Sequence, residues 1–123
     1  VPVDSALAQN ILAADPQHIF AERSVHLPEH SIEVELPFLL RTLGAVPFVP
    51  ILIGDPSWEN CQALSAALVK ALRGKKALII VSSDMSHYPS YDDALQVDTA
   101  TLLAICSLGS GGQQQELAEP WCG

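Results

Sequence analysis

The sequence predicts an α/β fold, with helices layered on both sides of a central, mostly parallel or mixed sheet in an αβα arrangement. Two apolar runs point to it, Pro47-Phe48-Val49-Pro50-Ile51-Leu52-Ile53-Gly54 and Ala77-Leu78-Ile79-Ile80-Val81. Both are continuous rather than alternating, the pattern of strands covered on both faces. Segments with helical spacing stand before, between and after them, joined by short links, and helix–strand–helix–strand–helix is the layered α/β order.

Taken in order, Val1-Pro2-Val3 is extended, and Asp4 stands where it would cap a helix over 5–14, with Leu7, Ile11 and Leu12 at helical spacing. Asp15-Pro16 ends that helix, because the residue before a proline is pushed out of the helical region. Residues 17–27 read as a short strand or an irregular connection. Pro28 suits a first helical turn, and Ile32, Leu36, Leu39, Leu40 and Leu43 then form an apolar stripe. A helix is therefore expected from Pro28 to the stop at Gly44, kinked near Glu33 because Pro37 has no N–H to donate.

The strand over 47–54 keeps its prolines at its start, where a ladder tolerates them. Asp55-Pro56-Ser57 is a turn that caps a helix over 58–72, with Cys61, Leu64, Leu68 and Leu72 as its core-facing stripe. Gly74-Lys75-Lys76 returns the chain to a strand over 77–82. After a loop at Tyr88-Pro89-Ser90-Tyr91, Asp92 or Asp93 would cap a helix running to about Ser107, with Leu95, Thr99, Leu102, Leu103 and Cys106 facing inward. A glycine-rich link over 108–112 and a short helix over 113–118 precede Pro120-Trp121-Cys122-Gly123.

The 123 residues fit one domain, and a hydrophobic content of 49% is enough for a core. Six basic against 14 acidic residues give a net charge of −8, which argues against nucleic acid and against anionic membrane surfaces. No apolar run approaches the ~20 residues of a membrane span. No basic segment followed by a long apolar one opens the chain, so no secretory leader is expected. Cys61, Cys106 and Cys122 are odd in number and form no C-x-x-C, which predicts a reduced, cytoplasmic protein. The chain opens at Val1, carries Met85 as its one methionine and stops at Cys122-Gly123, so an internal piece of a longer protein is expected.

The candidate site lies at Ser82-Ser83-Asp84-Met85-Ser86-His87, where the second apolar run turns polar. In open α/β sheets, ligands sit beyond the carboxyl ends of the strands. Asp84 and His87 are three apart, so one helical turn brings them together, and a carboxylate beside an imidazole can orient the ring for proton transfer. Ordinary helix capping by Ser82, Ser83 or Asp84, with His87 merely exposed, explains the same residues. Earlier in the chain, His30 and Glu33 form either the polar edge of a site or a solvated helix face. His26 and His30 have a metal-ligand spacing, but Pro28 between them argues against a shared helix face.

Three motifs taken together, Glu29-His30-Ser31-Ile32-Glu33 with Leu36-Pro37-Phe38-Leu39, then Ser82 to His87, then Cys122-Gly123, resemble the Memo family, known in bacteria and archaea as AmmeMemoRadiSam system protein B. The resemblance spans essentially the whole chain and implies a fold like that of class III extradiol dioxygenases. Those enzymes hold non-haem iron with two histidines and a carboxylate and leave positions open for substrate and oxygen. Memo proteins use a cysteine as the third ligand, and Cys122 matches it. His87 matches the acid/base histidine and Asp84 its carboxylate neighbour, while Glu29, His30 and Glu33 match a motif lining the pocket. The two metal-binding histidines lie in motifs this chain does not contain, and neither His18 nor His26 matches them. The chain is thus expected to be a single partial domain over 1–123, lacking an N-terminal metal-ligand part and a C-terminal part. Iron or copper would belong to the full-length parent, with none bound by this chain alone.

Two functions from different classes follow from the resemblance. One is a metal-dependent, dioxygenase-like oxidoreductase of unknown substrate, linked to radical-SAM and AMMECR-type partner proteins. The other is a non-catalytic adaptor that takes a phosphorylated peptide in the same pocket, an anion at a helix N-terminus. An inactive fragment is the bland alternative to both.

Overall fold

The computed structural model describes residues 1–107 and divides the chain into two compact units, Val1–Ser82 and Ser83–Gly123. The first unit opens with helix α1, Ser5–Ala14, and Asp4 caps it as its sequence requires, its Oδ1 accepting from the Leu7 N–H at 2.9 Å. Removing that acceptor in Asp4→Ala is expected to lower unfolding free energy by about 1 kcal/mol, read as a shift in the urea midpoint. Val3 pairs with Phe48 in an isolated parallel bridge, with the Asp4 N–H on the Phe48 carbonyl at 2.9 Å and the Phe48 N–H on the Pro2 carbonyl at 3.1 Å.

That bridge is the sole β pairing among the described residues, which overturns the layered αβα fold with a central sheet. Neither 49–54 nor 77–82 takes part in a ladder, and Leu78, Ile79, Ile80 and Val81 are exposed. The physical reason is that a strand is defined by a neighbour about 4.7–4.9 Å away, not by its own side chains. A continuous apolar run reports a need for cover; it does not supply the backbone that would pair with it.

Residues 17–27 form an irregular connection with a 3-10 turn at Ser24–His26. Helix α2 is shorter than its apolar stripe suggests, Leu36–Leu43, with Pro37 in its first turn rather than at a mid-helix kink. The cause is local. Pro37 cannot donate to the Glu33 carbonyl, which instead takes the Leu36 N–H at 3.3 Å, and residues 31–35 remain a run of turns. Gly44 stops α2 at φ 73°, a conformation that favours glycine.

Helix α3, Trp58–Leu72, starts at Ser57, whose Oγ accepts from the Asn60 N–H at 3.4 Å, while Asn60 Nδ2 donates to Asp55 Oδ2 at 2.9 Å. α1 packs on α3, and among the described residues the buried core is Ile11 on α1 with Ala67 and Ala71 on α3. The face of α3 that is buried is therefore its alanine face. Leu64, Leu68 and Leu72, expected in the core, are half-buried and line an open apolar hollow with Ile53, Cys61 and Ile79. Two small side chains let the helices approach closely, so the leucines are displaced to the flank.

In the second unit, helix α4, Tyr91–Cys106, is capped by Ser90 rather than by Asp92 or Asp93. Ser90 Oγ accepts from the Asp93 N–H at 3.4 Å and donates to Asp93 Oδ2 at 2.6 Å, a reciprocal cap. The inward stripe expected on α4 is not buried: Leu95, Leu102, Leu103 and Cys106 are exposed. No helix among the described residues is long and apolar enough to cross a membrane.

Candidate functional site

Asp84 and His87 meet, with His87 Nε2 3.0 Å from Asp84 Oδ2, but not through the helical turn expected of their spacing, since residues 81–87 are irregular. Where the carboxylate accepts, Nε2–H is the donor, and in the neutral ring Nδ1 then keeps its lone pair. The two side chains are 84% and 55% exposed, respectively, so the imidazole is open to an incoming hydroxyl. The Tyr88 ring stands edge-on to His87, centroids 5.9 Å apart. Asp98 on α4 anchors this irregular segment: its Oδ1 accepts from the Ser86 N–H at 3.1 Å. Ser86 Oγ is shielded from solvent and has no hydrogen-bond partner.

Asp98 was not among the candidates read from the sequence. It is the one charged residue of α4 beyond its first turn, set among apolar and small side chains, and that isolation is the signal that marks it. Its partner is 12 residues away, beyond the reach of any local spacing rule.

The Glu29–Glu33 motif belongs to the first unit and forms a polar turn. Glu29 Oε1 accepts from the Ser31 N–H at 2.7 Å and the His30 N–H at 2.8 Å. These bonds, Ser31's first, hold the Glu29 carboxyl below the usual glutamate range. His30 Nδ1 lies 2.7 Å from Glu33 Oε1, on an exposed surface. Cys122, the expected metal ligand, lies outside the described residues.

A second grouping that sequence reasoning passed over sits where α1 ends. His18 Nδ1 is 3.0 Å from both Asp15 carboxylate oxygens, and its Nε2 is 3.8 Å from Glu59 Oε1 in the first turn of α3. The His18 hydrogen bond is the main cause holding the Asp15 carboxyl below its ordinary value; partial burial opposes it, and the backbone N–H groups of His18 and Gln17 assist. A depressed folded-state pKa stabilises above the unfolded value and is lost as pH falls through the folded one. His18→Gln should therefore lower the urea midpoint near neutral pH, with the gap to wild type closing below about pH 4. A gap independent of pH would contradict the pairing.

Among the described residues, no three His, Cys, Asp or Glu side chains come together so as to hold a metal ion. The Asp84–His87 pair supplies a hydrogen-bonded acid and base, which can move a proton but does not form a coordination sphere.

The family model for Memo-like proteins matches residues 1–119. A MEMO1 family protein of Pyrobaculum aerophilum is 32% identical over 114 residues, 91% of this chain and 40% of its own length. One from Thermotoga petrophila is 37% identical over 108 residues, 85% of this chain and 38% of its own length. One from Aquifex aeolicus is 34% identical over 109 residues, 85% and 39% of the two chains. The chain thus spans about two-fifths of the length of the curated relatives it matches. No solved structure matches it significantly.

Proposed function

This chain belongs to the family of Memo-like proteins, and from that premise we propose that Asp84 and His87 form the proton-handling pair of an oxidoreductase-type site. The supporting observation is the 3.0 Å contact between His87 Nε2 and Asp84 Oδ2, which leaves Nδ1 free on an exposed ring. A substrate hydroxyl at Nδ1 would give up its proton to the neutral ring. Asp84 would stabilise the imidazolium that forms, and the ring would return the proton to the product. Asp98, by holding the Ser86 N–H, fixes the backbone on which His87 stands.

The described residues do not fit a metal by themselves, so no step here passes through one. Iron or copper, the substrate, and radical-SAM or AMMECR-type partners belong to this proposal at the level of a whole Memo-length protein.

The reading is tested by oxygen uptake with a dihydroxylated aromatic substrate and Fe(II) supplied in the buffer, comparing a Memo-length protein that contains this chain with its His87→Gln variant. Uptake that depends on His87 is expected. Uptake equal in both proteins, or absent from both, overturns it.

A further inference from the structure

We propose that His18 is a proton-operated latch between the end of α1 and the start of α3, closed onto Glu59 when the ring is charged and released when it is neutral. The ring is fixed on its α1 side. Asp15 directly follows α1, its Oδ1 accepts from the Gln17 and His18 N–H groups at 3.2 Å, and both its carboxylate oxygens lie 3.0 Å from His18 Nδ1. Where Asp15 accepts, Nδ1–H is the donor, and in the neutral ring Nε2 keeps its lone pair. Nε2 and Glu59 Oε1 then oppose each other across 3.8 Å as two acceptors. A second proton on the ring turns the same two atoms into a donor and an acceptor of opposite charge. The gap is about 1 Å longer than a charge-assisted hydrogen bond. The Glu59 side chain, 84% exposed in the first turn of α3, has room to close it.

The position gives the latch its consequence. α1 and α3 are the helices that pack together among the described residues, and the buried part of that contact is Ile11 with two alanines, Ala67 and Ala71. So small an apolar contact leaves an ion pair at its margin a real share in fastening α1. Asp15 and Glu59 are the carboxylates that His18 meets, and among the described residues no Lys or Arg forms an ion pair with either. Of the backbone ends it lies between, the carbonyls closing α1 favour a charged ring and the N–H groups opening α3 oppose it, so the side chains set the balance. The two arms depend on pH in opposite senses. The Asp15 carboxyl, held low chiefly by the His18 hydrogen bond, stabilises towards neutral pH. The Glu59 arm needs the protonated ring, so its contribution is present on the acid side of the histidine titration and is lost as pH rises.

The test is a double-mutant cycle on the full chain, His18→Gln against Glu59→Gln. The unfolding equilibrium constant is read by urea denaturation in EDTA at about pH 5.5 and about pH 8, either side of an ordinary histidine titration. The two substitutions should couple about twofold to fivefold at the lower pH, the range of an exposed ion pair, and should be additive at the higher. A second cycle, His18→Gln against Asp15→Ala, should show coupling at both. Glu59 coupling that is equal at the two pH values, larger at the higher one or absent from both overturns the latch. So does loss of the Asp15 coupling at the higher pH, which would mean that the neutral ring is not held through Nδ1.

Discussion

Replacing Ile11 with alanine is expected to lower the unfolding free energy by about 2–5 kcal/mol, measured by urea denaturation. Ile11 is 3% exposed and stands where α1 meets Ala67 and Ala71 of α3. The lost transfer free energy is compounded by a cavity, because two alanines have no rotamers with which to fill it. Since small domains are stable by roughly 5–15 kcal/mol, this one truncation removes a large share of the total. Leu103→Ala is the matched control: Leu103 is 65% exposed on α4, and its loss should change stability by no more than about 0.5 kcal/mol. Equal effects for the two substitutions would mean that the α1–α3 contact is not the core.

The second large effect concerns the site. If His87 moves the proton, His87→Gln should lower turnover by about 10²–10⁴-fold, the usual contribution of a positioned general acid or base. Asp84→Asn keeps the ring and removes the charge that stabilises the imidazolium, so its loss should be smaller and largest where the ring must become charged. Asp98→Ala reaches neither substrate nor ring. It removes the acceptor for the Ser86 N–H and loosens the segment that carries His87, whereas Asp98→Asn, whose Oδ1 still accepts, should retain most of the turnover. A His87 variant with full turnover would remove the pair from the chemistry and leave it as a local turn.

The parts of this molecule that sequence reading reaches are those fixed within one helical turn. Asp4 and Ser57 cap α1 and α3 where their types and positions say they should, and the ends of both helices agree with the apolar spacing. The Asp84–His87 contact is an i,i+3 relation and was legible as a contact, but the helical turn expected to carry it is absent, the chain over 81–87 being irregular. Pro37 was visible, but its consequence was not: the stripe over 32–43 suggested a kinked helix, whereas the missing N–H delayed the helix to Leu36. What failed was non-local. Apolar runs over 47–54 and 77–81 look the same whether or not a partner strand exists, and here neither joins a ladder among the described residues, Phe48 alone forming a single bridge to Val3. The burial of Ala67 and Ala71 in preference to Leu64 and Leu68 follows from how closely α1 approaches, which no single-helix pattern contains. Asp98 acts across 12 residues and was missed for the same reason.

The most direct measurement is the protonation of the neutral His87 ring, read by long-range proton–nitrogen NMR on the full chain. A proton fixed on Nε2, a bare Nδ1, and a mixed population of both tautomers after Asp84→Ala are the expected results. A proton on Nδ1, or a ring spectrum indifferent to Asp84→Ala, would contradict a carboxylate-oriented imidazole at this site.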